Sequence, residues 1–158
     1  MRLLSSCGLL ACLAAPVQAA DPAEVQRLAE AFCAAVRAID EAAAEALMAS
    51  PLREGIAALR IANEAFLAAN PGEKPPLGNG LRLTAYQDYP DSCTPEAVTE
   101  TGAELVYQPA GATDGAWRDR LEVTDGPDGK PVITDILYAP DLAERFSDWL
   151  VITTDEGS

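Results

Sequence analysis

The feature that most constrains the fold is a change of hydrophobic period part-way along the chain. From Asp21 onward, Val25, Leu28, Phe32, Val36 and Ile39 recur at spacings of three and four, the pattern of one buried helix face. Asp21-Pro22-Ala23-Glu24 supplies a start signal: a capping aspartate, proline at the first helical position, and a glutamate placed for a capping box. An alanine-rich stretch, residues 41–49, predicts a second helix. Ser50-Pro51 then opens a third, with Leu52, Ile56, Leu59, Ala62 and Phe66 on its inner side and Asn70-Pro71-Gly72 as its stop. After the loop Lys74-Pro75-Pro76-Leu77-Gly78-Asn79-Gly80 the period falls to two. Leu81 to Tyr86 alternates, and Ala103 to Gln108 reads as a strand. Trp117 to Thr124 and Val132 to Tyr138 flank Asp125-Gly126-Pro127-Asp128-Gly129-Lys130 as a hairpin. Asp141-Leu142-Ala143-Glu144 repeats the capping-box pattern ahead of Phe146, Trp149 and Leu150, predicting a short last helix. Helices followed by strands predict an α+β fold: N-terminal helices packed on a curved antiparallel sheet, with a short C-terminal helix.

The first 19 residues stand apart from this pattern. Arg2 is followed by an uncharged apolar run to Ala15, then Pro16 and a Val17-Gln18-Ala19 ending with small side chains at the positions a signal peptidase reads. This predicts a secretory signal peptide, residues 1–19, ahead of one domain, residues 20–152, and a flexible tail, residues 153–158. The apolar run is too short to span a bilayer, which needs about 20 residues. The location expected is periplasmic or secreted, with no membrane insertion after cleavage. Leu9-Leu10-Ala11-Cys12 resembles a lipobox, so a lipoprotein anchored through Cys12 is the alternative, although Leu10 fits that motif poorly.

Removing the segment also removes Cys7 and Cys12, leaving Cys33 and Cys93. Two cysteines in an oxidising compartment predict a disulfide. Closing a loop of about 60 residues stabilises a fold by roughly 4 kcal/mol in the chain-entropy account. Their wide separation is unlike the close C-x-x-C of redox catalysts. Composition narrows the partners. The whole chain carries 25 acidic against 11 basic residues, and loss of Arg2 makes the processed protein one charge more acidic still. Nucleic acid and anionic membrane surfaces would be repelled. A basic protein or a cationic ligand is compatible with that charge.

The helices, together with late strands reading Trp117-Arg118-Asp119-Arg120-Leu121-Glu122-Val123 and Val132-Ile133-Thr134-Asp135-Ile136-Leu137-Tyr138, resemble the nuclear transport factor 2-like superfamily, in particular exported bacterial members of unknown function. The chain departs from that pattern between Asp88 and Thr99, where Pro90, Cys93 and Pro95 interrupt what is often regular strand. The resemblance implies a conical sheet with a pocket, and in some relatives catalysis by an aspartate and a tyrosine. No catalytic motif of the family maps onto this sequence.

The chain contains no histidine, which excludes serine–histidine and cysteine–histidine nucleophile pairs and the commonest transition-metal ligand. No metal site and no cofactor are expected. Asp125 and Asp128 lack the spacing of a calcium loop and suit turn chemistry. Alternation puts Asp119 on a face with Trp117, Leu121 and Val123, and Asp135 on a face with Ile133 and Leu137. A carboxylate desolvated there would have a raised pKa and the capacity to act as a base. The alternative is pairing with Arg118, Arg120 or Arg82, or with backbone N–H groups. In the stretch from Tyr86 to Cys93, two tyrosines (Tyr86, Tyr89) and two aspartates (Asp88, Asp91) lie on a loop tied by the disulfide. They form either a recognition surface, tyrosine giving contact area at low entropic cost, or a stapled loop whose rings cover the core. The function expected is an exported non-enzymatic binding or interaction protein for an unknown small ligand or a basic protein. The alternatives are an acidic inhibitor or immunity-type protein and an enzyme using an aspartate base.

Overall fold

The computed structural model describes residues 20–156 apart from positions 79, 87, 88, 110, 112, 113 and 140. The proposed signal segment, Cys12 and Asp88 therefore lie outside the described residues. The fold is α+β. Three helices come first: α1 (Pro22–Ala38), α2 (Glu41–Ala46) and α3 (Ser50–Ala69). Five antiparallel strands follow, β1 (Pro90–Thr99), β2 (Gly102–Pro109), β3 (Trp117–Asp125), β4 (Pro131–Tyr138) and the two-residue β5 (Glu144–Arg145), ordered in space as in sequence. The last helix is α4 (Phe146–Glu156). Among the described residues no helix is long and apolar enough to cross a membrane.

α1 begins as its sequence dictates. Asp21 accepts a hydrogen bond from the Ala23 N–H at 2.9 Å, and Pro22 occupies the first turn. Its buried face, Val25, Leu28, Phe32 and Val36, packs into one core with Leu105 and Tyr107 of β2, Leu121 and Val123 of β3, and Ile133, Ile136 and Tyr138 of β4. Cys33 on that helix and Cys93 on β1 are disulfide-bonded, with Cα atoms 5.3 Å apart. The bond fixes the edge strand to the helix that covers it.

Several elements differ from the sequence reading, each for a local reason. The segment Leu81 to Tyr86 is loop, and Pro90–Thr99, read as irregular, is strand. Prolines are tolerated there because β1 is an edge strand, whose outer N–H groups have no ladder partner to lose. α2 stops at Ala46 because the next residues pair with the sheet: Ile133 N–H donates to Leu47 C=O at 2.9 Å and Ala49 N–H to Ile133 C=O at 2.8 Å. With its N–H committed there, Ala49 becomes the cap of α3, and Ser50, expected in that role, is the first helical residue. Ala62 and Phe66 of α3 are only half-buried, because its last turns run past the core. The C-terminal helix starts at Phe146, later than its capping-box pattern implies. It continues through Glu156 with Thr153 buried, so residues 153–156 are helix and not tail.

The β3–β4 hairpin contains a bulge. Asp135 pairs with Glu122 and Ile133 with Val123, leaving Thr134 unmatched. The extra residue turns Ile133 to the core face and Asp135 to the opposite one, beside Glu122. The expectation that Ile133 and Asp135 share a face is corrected by this bulge.

Candidate functional site

A cavity of about 390 Å³ lies between the α3–β1 loop, the C-terminal end of α1, and α4. Val36 and Ile39 close one side and Trp149 another. Ile39 ends α1 in a left-handed conformation (φ 56°), which leaves its side chain half-exposed beside the opening. The loop contributes an apolar wall of Pro75, Pro76, Leu77, Leu81 and Leu83, then Tyr86 and Tyr89. The polar groups at the cavity include Glu41, Lys74 and Arg82.

A long segment without regular structure would not ordinarily hold a cavity open, but this one is anchored along its length. Leu77 N–H donates to Asn63 Oδ1 at 3.1 Å, and Leu81 N–H to Glu41 Oε1 at 2.7 Å. Gly80, at φ +141°, lies so close to Glu41 that a Cβ would sit 2.3 Å from its Oε1. Tyr138 donates its hydroxyl proton to the Arg82 carbonyl. The Arg82 guanidinium stacks 4.5 Å above the Tyr138 ring, pairs with both Glu144 oxygens, and donates to Ala85 C=O. Ala85 N–H donates to Asp119 Oδ2 at 3.0 Å. These bonds take up backbone groups of Leu81, Arg82 and Ala85 that a strand would have paired, which is why the alternating Leu81–Tyr86 segment is loop.

Asp119 is fully buried below this loop. Its second oxygen accepts from Ala139 N–H at 3.0 Å, so the carboxylate clamps the loop to the end of β4. Burial pushes its pKa up, only partly offset by the two backbone N–H groups. The Trp117 indole N–H also faces this carboxylate, outside hydrogen-bonding geometry. Neither it nor the buried Tyr107 hydroxyl has a hydrogen-bond partner among the described residues. Burial, with the Asp119 charge second, raises the Tyr107 pKa well above its ordinary value. Trp117 stacks on Tyr107 at 5.2 Å and meets Tyr86 edge-on at 5.1 Å. Tyr86 is thus half-exposed at the cavity and seated on the core at the same time.

The structure brings together Tyr86 and Tyr89 at the cavity and separates Asp91, Asp119 and Asp135 from it. Asp91 accepts from Gly111 N–H at 3.2 Å and staples the start of β1 to the β2–β3 connection. Asp135 lies at the base of α4, accepting from Ser147 N–H at 3.1 Å, from Ser147 Oγ at 2.7 Å and from Arg145 at 3.1 Å. It is a long-range cap for that helix, which explains why the local capping box is not used. Arg145 also pairs with Glu122, and its pKa is raised by these carboxylates, hydrogen bonding to Glu122 first. The expected partners of these aspartates, Arg118 and Arg120, are not the ones used; Arg82 contributes only its charge near Asp119.

Lys74, Ile39 and Trp149 were not candidates from sequence. One signal was present: a connection of this length with no secondary structure is uncommon in a compact domain unless it serves a binding or closing role. Among the described residues, no cluster of three or more histidine, cysteine, aspartate or glutamate side chains is arranged to hold a metal ion. Comparison with protein-family models, curated proteins and solved structures found no match to this chain.

Proposed function

We propose that this is an exported, non-enzymatic binding protein that holds a small ligand in the cavity beneath the 74–89 loop. The observation that carries the reading is that the wall is pre-formed. Bonds to Asn63, Glu41, Glu144, Tyr138 and Asp119 anchor the wall at Leu77, Leu81, Arg82 and Ala85, so little ordering entropy is lost on binding. The volume falls at the small end of the range for ligand pockets, and a mainly apolar lining with a few polar groups is their usual make-up. Neither Asp119 nor Asp135 lines this cavity, and each carboxylate is already taken up by structural donors.

Export is supported by the N-terminal pattern and by the Cys33–Cys93 bond, which suits an oxidising compartment. The nuclear transport factor 2-like resemblance is retained as a proposal about ancestry. The cavity used here lies at the helix ends and not on the inner face of the sheet, whose Leu105, Tyr107 and Leu121 pack in the core with α1. Binding is tested by thermal-shift screening of the processed protein against small apolar and amphipathic compounds, repeated on Leu81→Trp, which fills the cavity. Compounds that stabilise the wild type and not the filled variant support the reading. Compounds that stabilise both equally, or none that stabilise either, refute it.

A further inference from the structure

Resting on that reading, the charge balance at the cavity points to the class of ligand. Three ionisable side chains lie at the cavity in addition to its tyrosines. Arg82 is matched by Glu144, which takes both of its terminal nitrogens. Glu41 accepts the Leu81 N–H and stands 4.0 Å from Arg60. Lys74 alone has no ion-pair partner among the described residues, although the chain carries more than twice as many acidic as basic groups. Its position is set by the turn that follows. Gly78, in a left-handed conformation (φ +62°), presents no side chain, and the lysine chain lies over it, so that a Cβ there would sit 3.4 Å from Lys74 Cε and 3.8 Å from Nζ. The ammonium lies beside this turn at the cavity. Beside the aliphatic side chains, the site presents five flat or rigid groups: Tyr86, Tyr89, Trp149, Pro75 and Pro76.

We infer that the cavity takes an aromatic monocarboxylate, its ring between the tyrosines, Trp149 and the prolines and its carboxylate on Lys74. Aromatic rings favour a flat partner through offset and edge contacts. A lone ammonium is satisfied by one carboxylate oxygen pair, and a second negative charge would face Glu41. The overall negative charge of the protein opposes any anion at long range. At physiological salt that field is screened within about 8 Å, so the contact with Lys74 decides.

The test uses three probes of nearly one shape at neutral pH: naphthalene-2-carboxylate, 2-naphthylmethanol and 2-naphthylmethylammonium. Each is titrated calorimetrically into wild-type protein, Lys74→Gln and Lys74→Arg. Lys74 is exposed, so neither substitution disturbs the fold. The expected result is carboxylate binding about ten-fold tighter than the alcohol, the discounted value of a charge-assisted bond at a partly solvated site. Lys74→Gln removes the preference and Lys74→Arg keeps most of it. Equal binding of all three probes, or a preference for the ammonium, overturns the ligand class while leaving the cavity reading in place. Carboxylate binding that Lys74→Gln leaves unchanged overturns the role of Lys74. If no probe binds, the ligand class fails, and the cavity reading is decided separately by the thermal-shift screen of wild type against Leu81→Trp.

Discussion

Replacing Asp119 by asparagine isolates the clamp that holds the cavity wall against the sheet. The carboxylate is fully buried and receives one backbone N–H on each oxygen, from Ala85 and from Ala139, both at 3.0 Å. Asparagine preserves the shape but turns one acceptor into a donor, so one of these N–H groups faces another donor with no water to replace it. The loss of one charge-assisted bond is worth about 1.5–3 kcal/mol, and removal of a desolvated charge gives part of it back, leaving a net cost of about 2 kcal/mol at neutral pH. The pH dependence has a definite sign. Because burial raises the folded-state pKa of Asp119, its contribution is full below the ordinary aspartate range and is lost as pH rises through the folded value. Asp119→Asn has no such titration, so its deficit relative to wild type is larger in mild acid and smaller near neutrality. Urea unfolding of both proteins followed by tryptophan fluorescence across that range measures the gap. Hydrogen exchange at Ala85 reports the loop directly and should accelerate in the variant. A variant as stable as wild type at every pH would refute the clamp, and a deficit that widens as pH rises would show that its hydrogen bonds outweigh burial, reversing the assigned direction.

Further consequences follow from single contacts. The double variant Cys33→Ser, Cys93→Ser should lose about 4 kcal/mol, roughly 10–15 °C in midpoint, because the bond closes a long loop. Thermal melts with and without reductant check this, and a reductant-insensitive wild type would contradict it. Gly80→Ala places a Cβ against the Glu41 carboxylate in a backbone conformation that costs alanine about 1–3 kcal/mol. It should weaken probe binding as well as stability, read by calorimetry and by melting in parallel. Ser147→Ala removes the 2.7 Å hydrogen bond to the buried Asp135 and should destabilise by about 1 kcal/mol without changing probe affinity.

Much of the fold was legible because it rests on local signals. The cap at Asp21, the three–four spacing of Val25 to Val36 and the turn between β3 and β4 each act within a few residues. The disulfide was legible because the export reading left just two cysteines. What was hidden depends on contacts remote in sequence. The alternating Leu81–Tyr86 segment is loop because Glu41, Asp119 and Tyr138 take its backbone groups, and β1 is strand despite two prolines because it stands at an edge. The bulge at Thr134 reverses the face of Asp135, which nothing in the two-residue period signals. At the site, Tyr86 and Tyr89 were visible as a tyrosine pair on a tethered loop. Trp149 reaches the cavity from α4, and Lys74 stands out only once the other charges around it are seen to be matched.

The most direct measurement is an amide and indole chemical-shift map of the isotope-labelled, processed protein titrated with naphthalene-2-carboxylate. The account predicts saturable shifts concentrated at Leu77, Leu81, Tyr86, Tyr89 and the Trp149 indole, with the outer sheet face around Arg118 and Glu122 unmoved. Shifts centred on that outer face, or none at ligand excess, would contradict it.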